Sequence, residues 1–576
     1  MIRFFAVFVF LTICHGTAAG EIRNIFDARV PMRDGVELSA DIWLPTTKEN
    51  YPAILIRTPY GKASGRMLPF VRHLSKQGYA VLLQDVRGRG DSDGTFLAGG
   101  EGNDGYDSVE WIATQAWSNG DICTMGGSYL AAVQWAAARE KPPHLRCMAA
   151  TANGGMHDLM YIGGAVSMFM VQWTNIASGR MDQRAVAATL DWNKIVGHRP
   201  LLTLDENMGR PMPLYRRVLT TRDPQYDFVK ETRLDADDYR LIDLPVLHVT
   251  GWFDITLSGT AGSWSGMAEH SPAKDKQFLL IGPWDHEQTV LTGGANHMSE
   301  MKFTPEATTD LIDLHTRFFD HYLKKTTKVF DAPRARVYVT GSNQWRNFAA
   351  YPPKLSSEQR LYLHSDGRAN SLAGDGSLNW EAPGVEPTDT FVFDPRKPVP
   401  VSVEKMQPAE DQRPIEERDD VLVYTGEVLE ESLEIIGTVS VELYAGSDAK
   451  DTDFTAKLID VYPDGRAVRL GPLNSGVIRA RFRNGFGSEE LLTPGEVEKY
   501  KISLFEIAHT FLPGHRVRLE ISSSAYPQIL PNQNTGNPIE TDTQWRLARQ
   551  TIYHDDVYAS AVILPVFSKA TTQKDQ

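Results

Sequence analysis

The stretch Asp121-Ile-Cys-Thr-Met-Gly-Gly-Ser-Tyr-Leu-Ala-Ala-Val-Gln-Trp135 constrains this chain more than any other. It reads as a short apolar strand, a sharp turn at Gly126-Gly127, then Ser128, then a helix that opens with small residues. Glycine supplies the backbone freedom such a turn needs, and Ala131 and Ala132 let the helix sit close to a sheet. A strand-to-helix turn of this kind lifts a serine hydroxyl clear of the sheet, as a nucleophile elbow does. The strict G-x-S-x-G pattern is broken, because Leu130 occupies its last position. Taken alone, the segment would serve equally well as a turn with a capping serine at a helix N-terminus.

Its neighbours decide between the two. Val36–Trp43 alternates like a half-buried strand, while Ala53–Arg57, Ala80–Gln84, Leu244–Thr250 and Gln277–Ile281 are near-continuous apolar runs, as central parallel strands require. Helical spacing lies between them, as at Leu68, Val71 and Leu74 and at Tyr106, Val109 and Ile112. Alternating strands and helices predict an open parallel sheet with helices on both faces. Residues 152–239 break this pattern with a Met-, Trp- and Ala-rich helical stretch, read as a cap over the site. From about 331 the helices give way to short strands separated by turn residues, among them Ala335–Thr340, Gln359–His364, Gly437–Tyr444 and Arg516–Ser522, which predict a β-sandwich. The fold class is therefore α/β. An α/β-hydrolase domain at 21–151 and 240–330 holds an inserted cap at 152–239, followed by an all-β jelly roll at 331–568 and a disordered tail at 569–576.

Serine is a weak nucleophile until a base takes its proton and a third group orients that base. Hydrolases of this architecture supply the three in the order Ser, Asp or Glu, His, each after a strand. Asp254 follows the strand ending at Val249, in Gly251-Trp-Phe-Asp254, and His286 follows the strand ending at Ile281, in Gly282-Pro-Trp-Asp-His286. Ser128, Asp254 and His286 thus read as a catalytic triad. The backbone N–H of Tyr129, next after the nucleophile, is one oxyanion donor. A second is expected from the loop after an early strand, where Tyr60 offers a phenolic hydroxyl. Trp252, Phe253, Trp284 and Trp173 are expected to line an apolar acyl pocket. This chemistry calls for no cofactor and no metal.

The motifs Pro59-Tyr-Gly61, Asp85-Val-Arg-Gly-Arg-Gly-Asp-Ser-Asp-Gly94, Gly126-Gly-Ser-Tyr129, Gly251-Trp-Phe-Asp254 and Gly282-Pro-Trp-Asp-His286 together resemble the cocaine esterase-like acyl hydrolases of the X-Pro dipeptidyl-peptidase family. The resemblance continues in Asp451–Gly465, Ser522–Pro527 and Asn532–Gly536, so it spans nearly the whole chain. It implies the catalytic domain, cap and jelly roll described above, and an oxyanion hole made by the Tyr60 hydroxyl and the Tyr129 N–H. Ala131 stands where the family's serine motif carries a glycine. The resemblance makes Asp85–Gly94 a structural loop near the site. Asp451, Asp453, Asp460 and Asp464 read as turn-forming carboxylates in preference to a calcium site.

Relatives that accept an α-amino group need carboxylates for the ammonium, some of them just after the triad acid. Here Ile255-Thr-Leu257 follows Asp254, leaving Asp158 or Asp285 as the remaining candidates. A carboxylic ester with a bulky or aromatic acyl group is therefore the expected small-molecule substrate. The alternatives are an amide or β-lactam acylase and an X-Pro dipeptidyl-peptidase.

Arg3, the apolar run Phe4–Ile13 and the small residues Gly16–Gly20 have the form of a secretory signal segment at 1–20, predicting a secreted or periplasmic protein. No other stretch approaches a membrane span. The net charge of −14 argues against nucleic acid as a partner. The cap and the long β domain offer surface enough for a homo-oligomer. Cys123 and Cys147 both read as central-strand residues, and two buried free thiols are expected in preference to one disulfide.

Overall fold

The computed structural model describes residues 22–47, 49–221, 233–324, 330–403 and 406–568. The expected signal segment at 1–20 and the tail at 569–576 lie outside them.

Ten strands form the sheet of the first domain: β1 (Ile22–Pro31), β2 (Glu37–Pro45), β3 (Tyr51–Thr58), β4 (Ala80–Asp85), β5 (Ser118–Gly127), β6 (Leu145–Thr151), β7 (Val246–Gly251), β8 (Gln277–Gly282), β9 (Ala335–Val339) and β10 (Gln344–Phe348). Their order is β1-β2-β4-β3-β5-β6-β7-β8-β9-β10. Pairing is parallel from β4 through β9 and antiparallel at the ends, where β1 meets β2, β2 meets β4, and β9 meets β10. Every residue of β4 and β7 is buried, which is why those segments are largely apolar and do not alternate.

Two cores cover the two faces. On one, Ile54, Ile56, Val81, Leu83, Met125 and Val249 pack against Phe70 and Val71 of helix Leu68–Lys76 and Leu314 and Phe318 of helix Leu311–Leu323. On the other, Ala53, Leu55, Leu82, Ile122 and Met148 meet Val109 and Ile112 of helix Glu101–Ala113 and Ala131 and Trp135 of helix Tyr129–Arg139. The alternation in β3 and β5 thus divides one strand between two helical layers.

Ala335–Thr340 has the pattern of a sandwich strand, but its residues Ala335–Val339 pair in parallel with β8 and complete the first sheet together with β10. The reason is burial: Val337, Tyr338 and Val339 are fully covered there, in the same core as Trp252 and Trp284. Cys123 and Cys147 are not free thiols. They stand opposite each other in the parallel pair β5–β6 and form a disulfide, with Cα atoms 4.8 Å apart.

Between β6 and β7 the chain forms the cap, with helices Met168–Ile176, Arg184–Ala187, Trp192–Val196 and Pro213–Thr220 and a 3₁₀ segment at Leu201–Met208. Its core, including Met160, Met170, Val171 and Tyr215, packs on Tyr129 and Val133 of the helix after Ser128 and on Leu530 of the C-terminal domain. Backbone bonds fasten the cap to that domain: Met168 N–H donates to Gln528 O at 2.8 Å, and Leu530 N–H to Val166 O at 2.8 Å.

The C-terminal domain is all β, a jelly roll whose long antiparallel pair Leu433–Ser447 and Val497–Phe511 runs through its centre. Of the aspartates singled out in it, Asp464 sits in a turn and accepts from Arg466 N–H at 3.1 Å, while Asp451, Asp453 and Asp460 are buried in ionic pairs. Asp451 and Asp453 are buried, each paired with an arginine (Arg481 at 2.7 Å and Arg479 at 2.8 Å) and both bonded by Asn532. Asp460 lies between His509 and His515, and Asp464 pairs with Arg466.

Candidate active site

Three strand ends build the site, all at the carboxyl edge of the parallel sheet, where an open α/β sheet leaves its crevice. At the end of β5 the chain reverses into helix Tyr129–Arg139 through Ser128, whose φ of 64° and ψ of −126° lie where non-glycine residues are rarely found. Such strain persists only where the surroundings hold it. Here Ser128 N–H donates to Thr151 O at the end of β6, and Ser128 O accepts from Ala131 and Ala132. Gly126, at φ 147°, is required: a Cβ there would sit 2.5 Å from Leu130 Cβ. Leu130, the residue that breaks the motif, is the side chain packed into that space.

Asp254 comes from the loop after β7. It is fully buried, and its Oδ1 accepts from His286 Nδ1 at 2.8 Å, from Thr256 N–H at 2.9 Å and from the Thr256 hydroxyl at 2.8 Å. Asn474 of the C-terminal domain donates to Ile255 O at 2.8 Å and braces the same loop. His286 opens the short helix His286–Leu291 after β8, with Asp285 as its capping residue. That helix lies on the elbow, since a Cβ on Gly127 would come within 2.9 Å of Val290 Cγ2. With Nδ1–H given to Asp254, the Nε2 lone pair is left to accept a proton. Burial disfavours the imidazolium, but the charge and hydrogen bond of Asp254 outweigh it and hold the His286 pKa above its ordinary value.

Tyr60 follows β3. Its hydroxyl accepts a hydrogen bond from Trp173 Nε1 at 3.0 Å, and the Arg184 guanidinium lies 4.5 Å from its ring centroid. Burial pushes the phenol up from its ordinary value, against the opposing bond from Trp173, so it remains a protonated donor. Arg89 fixes the loop that carries it. This fully buried arginine donates to Pro59 O at 2.6 Å, to Ala177 O at 2.6 Å and to Gly179 O, tying the Tyr60 loop to the cap. Tyr129 has its N–H in the first turn of its helix, where backbone donors point out of the helix end. Its ring stacks on Trp173 with centroids 5.6 Å apart, and its hydroxyl donates to buried Glu101, which also holds Arg57.

Trp173 therefore stands in the site. Beside it are Phe169, stacked at 6.5 Å, and Phe96, which touches both Tyr129 and Trp173. Phe96 and Phe169 escaped the sequence reading because nothing in their local pattern separates them from ordinary packing residues. Trp252, Phe253 and Trp284 have a different position from the one expected. All three are buried beneath the loops, with Trp252 donating to Tyr338 O, Trp284 to Ala307 O, and Phe253 stacked on Phe303. Their sequence proximity to Asp254 and His286 reflects anchoring of the loops: Phe253 N–H donates to Trp284 O, and a Cβ on Gly251 would lie 2.1 Å from that same oxygen.

The carboxylates near the site are engaged. Asp285 caps its helix by accepting from Gln288 N–H, Glu287 is exposed and pairs with Arg66, and Asp158 is exposed on the cap. The Asp85–Gly94 loop is held by bonds within it and from its neighbours, with Asp85 accepting from Lys62 N–H and Asp91 N–H.

A family model described as X-Pro dipeptidyl-peptidase (S15 family) matches residues 34–288, and one described as the X-Pro dipeptidyl-peptidase C-terminal non-catalytic domain matches residues 327–563. The chain is 32% identical over 578 residues to the cocaine esterase of Rhodococcus sp. (strain MB1 Bresler), covering 94% of this chain and 98% of that one. Among solved structures, an α-amino acid ester hydrolase superposes with a TM-score of 0.82 at 25% identity, covering 96% of this chain and 98% of the other. An aminopeptidase from a marine sediment archaeon, Thaumarchaeota archaeon, gives 0.81 at 25% identity, covering 98% and 99%.

Proposed function

The chain belongs to the X-Pro dipeptidyl-peptidase (S15) family and is a serine hydrolase acting on esters, and from that premise we propose that Ser128, His286 and Asp254 cleave carboxylic esters carrying bulky or aromatic acyl groups. Ser128 Oγ attacks the acyl carbonyl while His286 Nε2 takes its proton. The tetrahedral oxyanion is met by the Tyr60 hydroxyl and the Tyr129 N–H. Collapse expels the alcohol, protonated by His286, and leaves an acyl-enzyme. Water then repeats the sequence and releases the acid. Asp254 holds the imidazole in the required tautomer and stabilises its charged form.

The observation that carries this reading is the Asp254–His286 bond at 2.8 Å beside a serine in an elbow conformation. The acyl preference rests on the aromatic wall of Tyr129, Phe169 and Trp173. The engagement of Asp285, Glu287 and Glu101 with partners of their own speaks against an ammonium-bearing acyl group. We further propose that the protein works outside the cytoplasm, supported by the signal-like residues 1–20 and by the buried Cys123–Cys147 disulfide.

The test is hydrolysis of p-nitrophenyl acetate, benzoate and phenylacetate, and of the matching anilides and amino-acyl anilides, by the protein and by Ser128→Ala. Aryl esters should turn over fastest, and the variant should lose on the order of 10⁶-fold in kcat. Faster cleavage of amino-acyl anilides than of aryl esters would overturn the acyl assignment. A variant of full activity would overturn the triad.

A further inference from the structure

In a chain of net charge −14, one cavity of about 440 Å³ is lined by three arginines and, among the described residues, by no carboxylate. It lies between the cap and the Asp85–Gly94 loop with its continuation. Arg180, Arg210 and Arg217 supply the charge, and Phe96, Leu97 and Leu214 supply apolar surface. Its size is that of a small-molecule site.

Two of these arginines, Arg180 and Arg210, hydrogen-bond to neutral groups. Arg180 donates to the carbonyls of Gly90 and Ser92, and Arg210 to the Ser178 hydroxyl at 2.5 Å. These acceptors are neutral, and among the described residues neither arginine pairs with a carboxylate. Beneath them, Arg89 is also bonded only to carbonyls, and its Nη2 is buried with no hydrogen-bond partner among the described residues. Positive potential therefore gathers on one side of the cavity. On the other, Leu97 leaves 51% of its surface exposed, an apolar side chain held open beside cations.

We propose that this cavity is a second ligand site for an amphipathic monocarboxylate, distinct from the catalytic crevice. Arg180 and Arg210 take the carboxylate, for which the guanidinium fork is matched. Phe96, Leu97 and Leu214 cover an aryl or alkyl body. None of Ser128, Tyr60 and His286 lines the cavity. Phe96 is the partition, with one side facing the cavity and its ring also touching Tyr129 and Trp173, at 6.0 and 6.5 Å between centroids. An aryl acid is also what hydrolysis of an aryl ester releases, so on the reading proposed above the site would be filled by the enzyme's own product.

Isothermal titration of the Ser128→Ala protein with 4-phenylbutyrate tests the site without turnover, so the result stands whatever the hydrolase assay gives. Saturable binding is expected, weakened at least tenfold with 4-phenylbutyramide, which lacks the charge, and with acetate, which lacks the body. Arg180→Gln with Arg210→Gln should weaken it at least tenfold, since each charge-assisted bond contributes about that factor or more. Leu97→Asp, at a half-exposed position where a substitution typically changes stability only slightly, should do the same by repulsion and decides the matter if the double variant does not fold. Absent binding, acetate or amide binding as tight as the acid, or binding untouched by these substitutions would each overturn the proposal.

Discussion

Trp173→Phe probes the oxyanion geometry with one atom group. Trp173 gives Tyr60 a neutral hydrogen bond of 3.0 Å and stacks on Tyr129 at an angle of 22°. Phenylalanine keeps most of the stack and removes only the N–H. A neutral hydrogen bond has a net worth of roughly 0.5–1.5 kcal/mol, and each 1.36 kcal/mol is tenfold in rate, so kcat/KM should fall about 2- to 12-fold. Tyr60→Phe removes the proposed oxyanion donor itself and should cost on the order of 10²- to 10³-fold. If Trp173 acts through the orientation of Tyr60, the two losses cannot add. In the Tyr60→Phe background the indole N–H has lost its acceptor, and Trp173→Phe should cost less than about twofold. The assay is kcat/KM for p-nitrophenyl benzoate across the four proteins, with kcat and KM resolved. Additive losses would refute the positioning argument and make Trp173 simply part of the acyl wall. A Tyr60→Phe loss of less than about tenfold would remove Tyr60 from the oxyanion hole.

Three further outcomes follow from the same contacts. His286 must be neutral to act as base, and Asp254 raises its pKa, so kcat/KM should fall as pH drops through a value above 6.5; Asp254→Asn should move that midpoint down and cut kcat by about 10⁴-fold, and an unmoved acidic limb would contradict the pairing. Arg89→Met strips donors from Pro59, Ala177 and Gly179 together and should destabilise by about 3 kcal/mol or more, read as a lower urea midpoint, with kcat/KM falling alongside because the Tyr60 loop loosens; activity unchanged at full stability would refute the link. Replacing Cys123 and Cys147 by alanine opens a crosslink of sequence separation 24 and should remove about 3–4 kcal/mol by chain entropy, while an unchanged denaturation midpoint would show that β5 and β6 need no covalent tie.

Much of this was readable from residue order. Each member of the proposed triad follows a buried, largely apolar strand, and the strong parallel-sheet signal of β3, β4, β7 and β8 carries Ser128, Asp254 and His286 to one edge. What could not be read was adjacency. Cys123 and Cys147 look like isolated core residues until β5 and β6 are known to be neighbours. The available clue was that each lies four residues before its strand's end, the offset that puts two parallel strands in register. Ala335–Val339 was recognisable as a strand, but its sheet depends on Trp252 and Trp284 lying beneath it, far away in the chain. Those two tryptophans misled for the opposite reason. They adjoin the catalytic loops in sequence, yet their indole N–H groups reach inward to carbonyls, and no local periodicity distinguishes a side chain facing substrate from one facing the core. The roles of Asp451 and Asp453 were hidden likewise, since arginines that neutralise them lie 26 and 30 residues on.

The ninth and tenth strands bear on how the two halves of this chain can be handled and inherited. Gln277–Gly282 would be a bare edge without Ala335–Val339, and its buried Leu279, Leu280 and Ile281 would then border an unpaired row of backbone groups, the condition under which sheets recruit foreign strands. A gene cut after residue 330 should therefore yield insoluble aggregate, whereas one cut after residue 350 keeps the edge closed. Recombination between relatives faces the same restriction: a crossover at the apparent domain joint would pair one parent's β8 with the other's β9, whereas a crossover beyond the tenth strand leaves the first sheet of one parentage.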